Sequence, residues 1–223
     1  MINYYDLGPD KCLNEIVMAG SHDAGITEGG GNVKTQALDI YDQAGAGVRI
    51  FDIRITGAVV KKGGASPVLA LKAYHGGSAS STKHGADLRT GSATDMKVKS
   101  MSKLGITTGD YGMTLTKMLN DASKFVGENP NEFLILKFDK CHNWLMIAEA
   151  CVALLGNNIY KGGGNLNKKT LRELRGKVIV LFTKDGIEAV HHLYGVPHGI
   201  LAIKNLYGGG AYTDNFHGLQ YFG

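Results

Sequence analysis

Along this chain, compact apolar runs alternate with stretches whose apolar positions recur every three or four residues. The runs EIVMAGS (15–21), VRIFDIRI (48–55), PVLALKAYHGG (67–77), EFLILKFDK (132–140), KVIVLFT (177–183) and GILAIKNLY (199–207) predict six strands. Between them TQALDIYDQAGAG (35–47), TLTKMLNDASKFVGENP (114–130), NWLMIAEACVALLG (143–156) and NKKTLRELRG (167–176) have helical spacing. Glycine ends the first helix, Pro130 stops the second, and Asn143 stands where the third needs an N-cap. Residues 78–112 are rich in Ser, Thr, Lys and Gly and predict a long irregular stretch, which compact domains rarely carry without a functional reason or disorder.

Strands that alternate with helices predict parallel β/α units, an α/β fold. The six readable strands fall short of the roughly eight that close a barrel, so the expected architecture is a distorted or incomplete TIM-type (β/α) barrel. The chain reaches LQYFG without a final strand or helix. Either strands lie unread in the loops, or the sequence is a piece of a longer protein. Its 223 residues predict one domain, 1–223, and no internal repeat is visible.

Composition narrows the partners. The net charge of +4 suits an anionic substrate or an anionic membrane surface and is too weak to imply nucleic acid. No run of about 18 apolar residues spans a membrane, and the N-terminus lacks an apolar signal core. Cys12, Cys141 and Cys151 form no CxxC pair, so neither a disulfide framework nor a zinc site is expected. A soluble chain made in a reducing compartment is the expectation; oligomeric state is not legible. Glycine is abundant, at 32 residues, and forms triplets at 29–31, 162–164 and 208–210, which predict turns and loops. GGGN (162–165) lacks the preceding strand and following Lys-Ser or Lys-Thr of a phosphate loop.

In a parallel β/α barrel the reactive residues sit at the carboxyl ends of strands. Those ends hold His22 and Asp23, then Asp52 and Arg54, then His75, then Lys137 and Asp139, then Lys184. Two histidines, three aspartates and an arginine facing one mouth would suit phosphate chemistry. His191 and His192 read as an exposed helix end, Trp144 as core, and Met113, Met118 and Met146 as core filler. His84, His142, His198 and His217 have no partner spacing.

GSHDAG, AGVRIFDIRI, AYHGG and EFLILKFDK, in that order, resemble the catalytic core of bacterial phosphatidylinositol-specific phospholipase C, of the PLC-like phosphodiesterase superfamily. The resemblance covers residues 16–140 and thins to LRGKVIVLFTKD thereafter. It implies a phosphodiesterase that cleaves the glycerol–phosphate bond of phosphatidylinositol-type lipids through a cyclic inositol phosphate. By matching positions, His22 is the general base, His75 the general acid, and Asp23 the carboxylate behind the acid histidine. Arg54 sits on the phosphate, and Asp52 orients Arg54 and the attacking hydroxyl. Lys137, Asp139 and Lys184 contact phosphate or ring hydroxyls. The base histidine's carboxylate comes from late in the chain, where Asp214 is the candidate. Calcium-dependent members hold Ca²⁺ with oxygen ligands at these strand ends; Arg54 stands where one such carboxylate would be, so no metal or other cofactor is expected. The resemblance further implies action on a phospholipid head group at an anionic membrane surface, by a protein that is cytoplasmic or delivered as a toxin or effector. A catalytically dead head-group-binding module and a phosphodiesterase for another glycerophospholipid are the alternatives.

Overall fold

The computed structural model describes residues 2–27, 34–60, 68–76, 95–97 and 109–203. Five strands form a parallel sheet in the order β1-β2-β7-β8-β9. They are β1 (Ala19–Ser21), β2 (Val48–Ile53), β7 (Phe133–Phe138), β8 (Lys177–Phe182) and β9 (Ile200–Ala202). Four more form a second, antiparallel sheet: β3 (Ile55–Val60), β4 (Val68–Gly76) and β5 (Asp95–Lys97) in sequence, with β6 (Gly109–Thr114) also paired to β4. Helices α1 (Ile40–Gly45), α2 (Leu115–Glu128), α3 (Trp144–Leu155), α4 (Leu171–Leu174) and α5 (Lys184–Val190) connect them.

The parallel strands are apolar on both faces, because both are covered. Phe51, Ile53, Leu134, Leu136, Phe138, Val178, Val180 and Phe182 join one buried cluster with α2 and α3. The alternate residues Ile50, Ile135, Ile179 and Leu181 join a second cluster with Tyr4, Leu13, Met18 and Leu174. Asp52 and Lys137 continue this second face, two residues beyond Ile50 and Ile135, so the period of the strand carries their polar ends to its carboxyl rim. α2 buries Leu115, Met118, Leu119, Ala122, Phe125 and Val126 as a helical stripe, and Thr114 caps it by accepting from Lys117 N at 3.2 Å. α3 is apolar almost all round and sits inside the first cluster, with Trp144 packed 5.0 Å from Phe182.

The α/β class and the parallel sheet are as expected, and among the described residues the sheet does not close into a barrel. The third predicted strand is where the expectation fails. β2 does not end at a loop; after the single residue Arg54 it continues as β3, which pairs antiparallel with β4. The 67–77 run is therefore half of a β3–β4 pair, not a β/α unit. Nor is all of 78–112 irregular, since β5 and most of β6 fall within it; the rest of that stretch lies outside the described residues. Asn143 occupies the N-cap position of α3 but in the left-handed region, φ 62°, where its side chain makes no capping bond. Thr170 caps α4 through a reciprocal pair of bonds with Glu173.

At the amino end of the sheet Arg49 is fully buried. Its Nε and Nη2 donate to Glu132 Oε2 at 2.9 and 2.7 Å, and the remaining N–H groups reach the carbonyls of Ala44, Val48 and Ile2. Removing the carboxylate leaves a desolvated guanidinium without its counter-charge. Glu132→Ala should lower unfolding stability by roughly 3–5 kcal/mol, read as a shifted urea midpoint at unchanged slope.

Candidate active site

The site begins where β1 stops. Ser21 is followed by a turn in which Asp23 takes φ 45°, a left-handed conformation that few residues other than glycine adopt. The turn is tied down on several sides. Ala24 N donates to Asp52 O, Ile26 N to Asp23 O, and Met113 N to Gly25 O, each at 2.9 Å. A Cβ on Gly25 would lie 2.5 Å from that of Ala73, and one on Gly112 would lie 2.0 Å from Gly25 O. The last glycine of GSHDAG is thus needed for space, so that β4 and β6 can approach the turn.

Arg54 is the corner between the two sheets. Its carbonyl accepts from Tyr74 N at 3.1 Å, while the neighbouring Ile53 and Ile55 carbonyls accept from Asp139 N (3.1 Å) and His142 N (2.8 Å). The corner brings His75, near the end of β4, over the turn that holds Asp23.

One carboxylate joins these parts. Asp23 is 1% exposed; its Oδ2 lies 2.7 Å from His75 Nδ1 and 3.5 Å from His22 Nε2. Its Oδ1 lies 3.0 Å from Arg54 Nε. The Arg54 N–H is not aimed at that oxygen, so the two are in charge contact without a hydrogen bond. A second carboxylate works in parallel. Asp52 Oδ2 lies 3.0 Å from His22 Nδ1, and its Oδ1 accepts from Lys137 Nζ at 3.1 Å. Lys137 Nζ is also 3.8 Å from Asp139 Oδ2. Both imidazoles stay partly open to solvent, His22 at 43% and His75 at 37%, whereas the carboxylates behind them are buried.

The structure therefore brings together His22, Asp23, Asp52, Arg54, His75, Lys137 and Asp139. It does not bring in Lys184, which starts α5 rather than ending a strand. That side chain is 68% exposed and pairs with Glu188 on its own helix at 3.5 Å. Asp214 lies outside the described residues. Asp52 lies 3.0 Å from His22 Nδ1. One expected pairing is corrected: Arg54 meets Asp23, not Asp52. The reason is the corner at Arg54: the residue leaves the pleat of β2, so it does not share the face of Asp52 two positions earlier.

Sequence reasoning missed the layer beneath. Tyr74 donates its hydroxyl to Lys140 O at 2.6 Å, and burial pushes its phenol up to about 12, so it stays a neutral donor. The Cys141 thiol accepts from Ile55 N at 3.2 Å, next to the Arg54 corner. Strand alternation beside His75 could have flagged Tyr74; nothing in the local pattern marks Cys141. His142 lies against Tyr74, with ring centroids 5.7 Å apart, and His198 Nδ1 accepts from Gly195 N. His191 and His192 are exposed where α5 ends, and the Trp144 and methionine readings hold, with Met113, Met118 and Met146 buried. His84 and His217 lie outside the described residues.

His22, Asp23 and Asp52 offer ligand atoms within 4.8 Å of one another, a spacing that could hold a metal ion. Each carboxylate already has a cation on its other oxygen, Arg54 on Asp23 and Lys137 on Asp52.

No family model and no curated protein matches the chain by sequence. Solved structures do match. The chain resembles phosphatidylinositol-specific phospholipase C of Staphylococcus aureus, described in a study of the modulation of its membrane binding. The TM-score is 0.53 at 23% identity, over 81% of this chain and 52% of that one. A mutant of the same enzyme matches with a TM-score of 0.50 at 23% identity, over 79% and 50% of the two chains. The chain thus spans about half the length of these structures. The likeness is one of fold, and among the described residues the parallel sheet does not close.

Burial raises the Cys141 thiol well above its ordinary range and Cys151 likewise, whereas Cys12 is partly exposed. A thiol-reactive chromophore at pH 8 should therefore label at most one cysteine, Cys12, in the native protein and all three in urea. Rapid native labelling of Cys141 would show that the floor of the site opens.

Proposed function

We propose that this chain is a phosphodiesterase of the phospholipase C type, acting on phosphatidylinositol or a close relative. The observation that supports it most is the pair of imidazoles, each held at Nδ1 by a buried aspartate: His22 by Asp52 at 3.0 Å and His75 by Asp23 at 2.7 Å. A carboxylate on Nδ1 fixes tautomer and ring orientation and assigns proton transfer to Nε2. Two such rings, with Arg54 beside Asp23 and Lys137 beside Asp52, suit in-line displacement at phosphorus.

In this reading His22 Nε2 takes the proton of the inositol hydroxyl adjacent to the phosphodiester. That oxygen bonds to phosphorus as the bond from phosphorus to the glycerol oxygen breaks. His75 gives its proton to the departing oxygen. The products are a cyclic inositol phosphate and diacylglycerol. Arg54, whose planar charge is permanent, neutralises the phosphate oxygens. Lys137 and Asp139 are placed to meet phosphate or ring hydroxyls. Because Arg54 and Lys137 already occupy the carboxylate oxygens, the reaction runs without Ca²⁺ or another cofactor. The enzyme works at an anionic lipid surface without spanning it; among the described residues no helix is long and apolar enough to cross a membrane.

The test is a lipid panel assayed by phosphorus NMR with and without chelator. Phosphatidylinositol should give a cyclic phosphate in both conditions. Cleavage of choline lipids with phosphatidylinositol untouched would change the substrate, and lipid binding without product would leave a head-group-binding module. His22→Ala and His75→Ala should each cost about 10²–10⁴-fold in turnover while remaining folded.

Arg54 carries the metal question. Arg54→Asp should abolish metal-free turnover, since a carboxylate would then face the phosphate beside Asp23 and Asp52. Added Ca²⁺ should recover part of it. Arg54→Lys should be poor, because a point charge cannot make the two-pronged contact. Wild-type activity lost in chelator, with Arg54→Ala unharmed, would overturn the metal-free reading.

A further inference from the structure

The turn that carries His22 and Asp23 is gripped from one side by a single short segment. Three consecutive carbonyls each accept a hydrogen bond from a side chain within residues 35–43. Gln36 Nε2 donates to His22 O at 3.0 Å, Thr35 Oγ1 to Asp23 O at 2.9 Å, and Gln43 Nε2 to Ala24 O at 3.0 Å. The grip is itself anchored. The backbone N–H groups of Thr35 and Gln36 both donate to Ile26 O, at 3.2 and 3.1 Å, and Gln43 also donates to Leu38 O at 2.7 Å.

The grip falls on a strained residue at the centre of the site. Asp23 at φ 45° persists only where its surroundings over-determine it. Its carboxylate is the atom group that touches His75, His22 and Arg54 together. A turn relaxed to negative φ would swing that carboxylate away from all three. Each of the three gripping side chains acts through a main-chain carbonyl of the turn.

We propose that Thr35, Gln36 and Gln43 are positioning residues that hold the His22–Asp23 turn in its left-handed form and thereby fix the tautomer of His75. The kinetic consequence rests on the phosphodiesterase reading; the tautomer does not. Thr35 is the informative position, because its side chain is near the surface and Val and Ser are close in shape. Gln43 is buried, so its replacement would also disturb packing.

The experiment uses the full chain, labelled with ¹⁵N, and compares wild type with Thr35→Val, Thr35→Ser and Gln36→Ala. Two-bond ¹⁵N–¹H spectra report the histidine tautomers, and phosphatidylinositol vesicles report kcat and KM. His75 should be Nδ1-protonated in wild type and in Thr35→Ser, donating to Asp23. Thr35→Val and Gln36→Ala should show mixed tautomers at an unchanged urea midpoint. Their kcat should fall about tenfold or more, as misplacement of a reacting group does, with KM changed less than about twofold.

A wild-type His75 without the Nδ1 proton would overturn the proposal. So would Thr35→Val or Gln36→Ala with wild-type tautomer and turnover, or Thr35→Ser as impaired as Thr35→Val. If wild type turns over no phosphatidylinositol, the functional reading fails, while the tautomer comparison still decides the positioning role.

Discussion

The register between β2 and β7 is the constraint on which the rest depends. It is pinned at both ends by ion pairs of opposite sense. At the amino end β2 supplies the cation, Arg49, and the residue before β7 supplies the anion, Glu132. At the carboxyl end β2 supplies the anion, Asp52, and β7 the cation, Lys137, which are register partners. Between them Ile50 faces Ile135 and Phe51 faces Leu136. A slip of one residue would turn every side chain to the opposite face and strand both charges. The amino-end pair is dry and saturated with hydrogen bonds, which is the condition under which a buried pair specifies a structure. The carboxyl-end pair is part of the candidate site, so one pairing sets both the frame and the position of its chemistry.

The second determinant is that the site straddles two sheets. His22, Asp52, Lys137 and Asp139 come from the carboxyl rim of the parallel sheet, and His75 comes from the antiparallel one. Asp23 spans the join. A barrel built only of β/α units would need a further parallel strand to deliver the second histidine. Here one strand changes sheets instead, and a β3–β4 pair delivers it.

Much of this was legible in the sequence, and the failures have physical causes. VRIFDIRI and EFLILKFDK are apolar on both faces because the strands are covered on both, and that makes them unmistakable. The seven residues brought together were found from their places at strand ends. β3 is not legible because ITGAVV follows Arg54 with no turn residue to separate it, so the run VRIFDIRI takes in its first residue and the remainder goes unread. The pairing at Arg54 departs from expectation for the same reason: strand alternation holds within a pleat and fails across a corner. Lys184 was misplaced by one turn of chain, since the residue after KVIVLFT begins a helix instead of ending a strand. The contacts of Thr35, Gln36 and Gln43 are made by common polar residues to main-chain oxygens, which leave no periodic trace.

The corner at Arg54 separates two demands usually made of one residue. The fold uses its carbonyl, which β4 engages through Tyr74 N; the candidate site uses its guanidinium, which lies against Asp23. Every amino acid has the first, and only this one has the second. Drift at position 54 can therefore change the electrical character of the mouth while the architecture stays as it is, and descendants of one frame can divide between different charge regimes without passing through an unfolded ancestor.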